Sequence, residues 1–96
     1  MIKSFKNRCA EDIFNHSNSK EARKLPKSLW ENAAEKLDML HAACRIDDLK
    51  IPPGNRLELL KGDLLGFWSI RINNQWRIVF KWCEGNAEEV FICDYH

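Results

Sequence analysis

No segment of this 96-residue chain is apolar enough to cross a bilayer; its longest apolar runs are a few residues. The opening Met1-Ile2-Lys3-Ser4-Phe5-Lys6 lacks the long apolar stretch of a signal peptide, so a cytoplasmic protein that does not engage membranes is expected. Repeats and low-complexity tracts are absent. There is little net charge, +1 at pH 7, which excludes a basic coat for nucleic acid. Cys9, Cys44, Cys83 and Cys93 include no Cys-x-x-Cys pair, which argues against a disulfide framework and for buried free thiols. Cys83 and Cys93 flank an expected hairpin, which would bring them near each other. His41-x-x-Cys44 offers two metal donors without a second pair, whereas zinc takes four donors or three plus water.

What is present suits one globular domain spanning residues 1–96, with 45% hydrophobic residues, 30% charged residues and four Trp to fill a small core. The charge is unevenly spread. Residues 56–82 hold Arg56, Lys61, Arg71, Arg77 and Lys81 against Glu58 and Asp63. Residues 83–96 hold Glu84, Glu88, Glu89 and Asp94 with no Lys or Arg. Such a positive band can meet phosphates, and it can equally be a solvated sheet face.

The periodicity divides the chain. Ile2–Lys6 alternates as a short strand, and 9–14 suits a short helix with Ile13 and Phe14 inward. Residues 15–19 carry no apolar side chain and read as a loop; a further helical turn falls around 20–24. The clearest helix starts near Ser28, which with Glu31 has the spacing of a capping box behind Pro26. Trp30, Ala33, Leu37, Leu40 and Cys44 form its apolar stripe. Ile51-Pro52-Pro53-Gly54-Asn55 then ends the helical half. Strands are expected at 56–60, 66–72, 75–82 and 88–94, separated by Lys61-Gly62-Asp63, Asn73-Asn74 and Glu84-Gly85-Asn86. Short connections imply an antiparallel meander, so the fold class is α+β: an N-terminal strand and helices packed on one face of a curved, mainly antiparallel sheet.

Strand parity sorts the side chains. Trp68, Ile70, Ile72, Trp76, Ile78, Phe80 and Trp82 point toward the helices, and Arg71, Arg77 and Lys81 toward the other face. The chain stops on Asp94-Tyr95-His96 directly after the strand-like Val90-Phe91-Ile92-Cys93. As an ordinary polar tail these residues would fray. Beside a cationic face they suit RNA cleavage by the RNA's own 2′-hydroxyl. That reaction needs a base, an acid for the departing 5′-oxygen, and cations for the extra phosphate charge. Glu58 or Asp94 is a candidate base, and His96 a candidate acid or base because imidazole titrates near neutrality. Tyr95 can hydrogen-bond or stack, and Lys61, Arg71 and Arg77 can hold phosphate.

Pro52-Pro53-Gly54-Asn55-Arg56-Leu57-Glu58, Lys61-Gly62-Asp63, Trp68-Ser69-Ile70-Arg71, Asn74-Gln75-Trp76-Arg77-Ile78 and the closing Asp94-Tyr95-His96 resemble the HigB toxins of the RelE-like toxin–antitoxin superfamily. The resemblance covers essentially the whole chain and is weakest over 9–27. It implies a compact microbial-ribonuclease-like α+β domain and a ribosome-dependent mRNA endonuclease that works without metal or cofactor. The implied partners are the ribosome, mRNA and a HigA-type helix-turn-helix antitoxin, with DNA contacted only through the antitoxin complex. It gives Asp94, Tyr95, His96, Glu58 and Arg77 active-site roles. It makes Arg56, Lys61, Arg71, Asn73 and Lys81 contacts to RNA or ribosome. Better-known members carry His where this chain has Glu58, and some carry a basic residue in place of Asn73. The Glu58 difference keeps a second reading open, a non-catalytic module that blocks translation or ribosome assembly by occupancy.

Overall fold

Alternation in the C-terminal half becomes a four-stranded antiparallel sheet of β1 (Glu58–Leu59), β2 (Phe67–Arg71), β3 (Trp76–Cys83) and β4 (Asn86–Asp94), in the order β1-β2-β3-β4. The structure is a computed structural model and describes residues 1–94; Tyr95 and His96 lie outside the described residues. Two helices, α1 (Arg8–Phe14) and α2 (Trp30–Ala42), cover one face. Between β3 and β4 the chain reverses at Glu84-Gly85, both at positive φ (51° and 79°). This is the geometry of a primed two-residue turn, which matches the right-handed strand twist.

The core lies between helices and sheet. Ala33, Leu37 and Leu40 of α2 are buried with Ile70, Ile78, Phe80, Val90 and Ile92, and Trp68, Trp76 and Trp82 pack at its margin. The face expected to be apolar is the one beneath the helices. Polar side chains fasten the layers. Asn7 caps α1 by accepting from Ala10 N (3.0 Å) and donates to Ile92 O of β4 (3.0 Å). Asn32 of α2 donates to Ile72 O (3.0 Å). Asn55 is fully buried; it donates to Leu49 O at 3.1 Å and accepts from Lys36 Nζ.

Several expectations are corrected. Ser28 does not cap α2. A 3₁₀ turn over Lys27–Leu29, closed by Leu29 N to Pro26 O (2.9 Å), absorbs Ser28, and the α-helix starts at Trp30 without a side-chain cap. Cys44 leaves the apolar stripe because the helix ends at Ala42 and Ala43 is extended; Ala43 is buried instead and Cys44 is exposed. Cys83 is exposed as well and Cys93 half-buried, so only Cys9 is a buried thiol, and all four are free. Cys83 faces Asn86 at the hairpin end of β4 and Cys93 faces Arg77 near its other end, so the two thiols lie apart.

The Ile2–Lys6 segment forms parallel bridges to β4, Ile2 with Ala87 and Phe5 with Val90, rather than a full strand. The cause lies in β4. Glu89 adopts φ 51° where the β3–β4 register shifts, and its N–H goes to Ser4 Oγ (2.9 Å) instead of a backbone carbonyl. The bulge thus interrupts the ladder between the two bridges.

Burial decides what truncation costs. Leu37→Ala should destabilise the fold by about 2–5 kcal/mol, because a fully buried side chain leaves a cavity that relaxes only in part. Leu65→Ala, 73% exposed, should stay within about 0.5 kcal/mol. Urea denaturation of both variants measures the contrast.

Candidate active site

Strand pairing places Glu58, Ser69 and Arg77 along one diagonal across three strands. Glu58 of β1 lies opposite Ser69 of β2; Arg71 of β2 lies opposite Arg77 of β3, so Ser69 and Arg77 are diagonal neighbours. The side chains meet: Arg77 Nη1 donates to Ser69 Oγ at 3.0 Å and lies 3.6 Å from Glu58 Oε1. Ser69 is fully buried, the Arg77 side chain is 17% exposed, and the Glu58 carboxylate reaches solvent. A base candidate and a candidate phosphate-binding cation are thereby held together on the sheet face away from the helices.

This face is not uniformly cationic. Phe67 and Val79, with Leu60, form a second small core that Leu64, Phe91 and Cys93 flank. Above it lie two lysines. Lys6 Nζ is 5.3 Å from the Phe67 ring and 5.1 Å from the Phe91 ring, and Lys81 Nζ is 5.1 Å from Phe67, distances at which a cation is attracted to an aromatic face. Lys81 also pairs with Glu89 at 3.0 Å. Lys6, Arg71, Arg77 and Lys81 therefore stand against Glu58 and Glu89 on this surface. Sequence reasoning missed Lys6 because nothing local shows the first segment running beside β4. It also passed over Ser69, whose parity with Arg71 and Arg77 was the available signal.

The other candidates are distributed. Arg71 donates to Asn74 Oδ1. Asn73 Oδ1 accepts from Gln75 N (2.9 Å) and Trp76 N (2.8 Å), so it shapes the β2–β3 turn. Lys61 is exposed just after β1, and Arg56 is exposed just before it at φ 46°. Asp94 pairs with Trp76, and its Oδ2 accepts from Gln75 Nε2 at 2.8 Å; Cys93 is the residue directly opposite Arg77. The Tyr95 and His96 roles fall outside the described residues. His41, of the two-donor metal pattern, accepts from Ile2 N at its Nδ1 (3.1 Å), and its ring lies tilted against Phe14 with centroids 5.3 Å apart. Between α1 and α2 a cavity of about 420 Å³ is lined by Asp12, Glu31, Glu35 and Asp38, with His16 and Trp30. Four carboxylates repel a polyanion, so the cavity is unsuited to RNA despite its size.

Comparison with known proteins places the chain in a family. A family model described as "RelE-like toxin of type II toxin-antitoxin system HigB" matches residues 3–96. The chain is 39% identical to Toxin HigB-1 of Vibrio cholerae over 92 residues, covering 96% of this chain and 95% of that protein. It is 31% identical to Endoribonuclease HigB of Proteus vulgaris over the whole of both chains. Among solved structures it resembles a YafQ variant from E. coli (TM-score 0.65, 12% identity, 98% of this chain and 93% of that one). It also resembles the YoeB–YefM complex from Staphylococcus aureus (TM-score 0.60, 19% identity, 100% and 98%). At those identities the structural likeness speaks for the fold.

The site's thiol gives a check on the geometry. Burial, with Asp94 adding to it and Arg77 opposing, pushes the Cys93 thiol above its ordinary value, and burial does the same for Cys9. A raised thiol pKa leaves less reactive thiolate near pH 8. Alkylation at pH 8 followed by mass spectrometry should label Cys44 and Cys83 severalfold faster than Cys93 and Cys9, with the gap narrowing as pH rises.

Proposed function

Because the chain belongs to the HigB-like family, RelE-like toxins of type II toxin–antitoxin systems, we propose that it is a ribosome-dependent mRNA endonuclease that arrests translation and growth. The name of its Proteus vulgaris relative supports the activity. The observation that carries the reading in this chain is the Glu58–Ser69–Arg77 diagonal, which sets a carboxylate against a half-buried guanidinium. Residues 1–96 would act as a single domain in the cytoplasm. No helix among the described residues is long and apolar enough to cross a membrane. The antitoxin partner would be of the HigA helix-turn-helix type and would contribute the DNA contacts.

In the proposed mechanism the base removes the proton of the RNA 2′-hydroxyl, and the 2′-oxygen attacks the adjacent phosphorus. The bond from phosphorus to the 5′-oxygen breaks, an acid protonates that oxygen, and a 2′,3′-cyclic phosphate and a 5′-hydroxyl result. Glu58 is the base on geometric grounds, since it shares the Arg77 face. Arg77 stabilises the charge that builds on the phosphoryl oxygens, and a guanidinium offers a planar fork for that purpose. Arg71, Lys61, Lys81 and Arg56 hold the flanking backbone of RNA or ribosome, and Asn73 supports Arg71 through the turn it shapes. His96 donates the proton and Tyr95 stacks on a base. Asp94, fastened to Gln75, holds the end of β4 against the β2–β3 turn.

Primer extension on programmed ribosomes tests this. Arg77→Ala should lower the rate of mRNA cleavage by about 10²–10³-fold, the usual cost of one transition-state donor. Glu58→Ala should lower it by about 10²-fold or more. A chain lacking Tyr95 and His96 should fold and fail to arrest growth when its antitoxin is absent. A folded truncation that still cuts mRNA would place the chemistry elsewhere.

A further inference from the structure

We infer that Ser69 is a positioning residue for this reaction, acting through Arg77; the inference rests on the proposed phosphate-holding role of Arg77. Three polar or charged residues among those described are buried, Asp12, Asn55 and Ser69. Asp12 accepts from Ser19 Oγ at 2.6 Å beside α1, and Asn55 ties Lys36 to Leu49 O, so both serve the scaffold. Ser69 is the one whose side chain meets a site residue: its Oγ accepts a hydrogen bond from Arg77 Nη1 at 3.0 Å while fully buried.

Position 69 is also where the strand pleat demands something unusual. Its neighbours on the same face, Phe67 and Val79, belong to the second small core. An apolar side chain would extend that core. A hydroxyl instead puts a hydrogen-bond acceptor beneath a long, flexible cation. Arg has many rotamers, and a fixed acceptor restricts them before substrate arrives. Glu58, directly opposite Ser69 and 3.6 Å from the same Nη1, holds the guanidinium from a second side. Ser69 touches no reacting atom in this account. It sets where the Arg77 charge sits, and misplacement of such a charge is costly even when the residue itself is intact.

The test is a double-mutant cycle on the full chain, with mRNA cleavage on programmed ribosomes as the readout. Ser69→Ala should keep the fold, by circular dichroism and melting, and lower cleavage about tenfold. Ser69→Thr should restore most of the loss by returning the hydroxyl. In an Arg77→Lys background, Ser69→Ala should cost less than about twofold, because its effect passes through the guanidinium. Side-chain NMR gives a reading independent of activity: the Arg77 Nη1–H signal, from the proton hydrogen-bonded to Ser69 Oγ, should be slow to exchange in the parent and faster in Ser69→Ala. Equal cost in both backgrounds, no loss in Ser69→Ala, or an unchanged Arg77 signal would overturn the inference. If the parent chain cuts no mRNA while the Arg77 signal responds as stated, the positioning stands and the proposed activity fails.

Discussion

The two-residue pleat of β2, β3 and β4 is the constraint on which the rest of the structure depends. Side chains alternate across a sheet, so the same strands must satisfy a core on one side and a charged surface on the other. A slip of one residue would exchange the faces, sending Arg71, Arg77 and Lys81 under the helices and Ile70, Ile78 and Phe80 into water. The β2–β3 turn prevents the slip. Asn73 Oδ1 holds the amides of Gln75 and Trp76, and Ile72 N bonds Trp76 O at 2.9 Å. From that register follow both the pairing of Arg71 with Arg77 and the burial of Ile70 against Ile78.

The second face owes its character to mixing. Phe67, Val79 and Leu60 exclude water beneath the cations, and Phe91 packs against Phe67 with ring centroids 5.9 Å apart. A charge over such a floor sits in a lower effective dielectric than a fully solvated one, so its pull on a phosphate is stronger. The cost is desolvation of the cations. Glu58, Glu89 and the aromatic rings offset it for Arg77, Lys81 and Lys6. The acidic cavity between α1 and α2 has the opposite chemistry, and the sheet lies between it and Arg77.

Much of this was legible in the sequence, and the failures have separate physical causes. Alternation over Phe67–Arg71 and Trp76–Cys83 is a local signal, and it correctly divided Trp68, Ile70 and Phe80 from Arg71, Arg77 and Lys81. The α2 stripe through Ala33, Leu37 and Leu40 was equally plain. Ser28 was misread because a 3₁₀ turn and a capping box use similar residues at similar spacing, and only the backbone separates them. Cys44 continues the helical spacing arithmetically, but the helix ends before it. Lys6 and Ser69 depend on contacts across the sheet, between residues 85 or 8 positions from their partners. The bulge at Glu89 has no residue signature, since φ is positive there at a glutamate.

The proposed activity requires that this face cut RNA rather than only occupy the ribosome. It is tested most directly by sequencing mRNA 5′ ends in cells that make the chain without its antitoxin. New 5′-hydroxyl ends inside translated regions are expected with the parent chain, and strongly depleted ones with Arg77→Ala. Full growth arrest with no new ends would contradict it and leave occupancy as the mode of action.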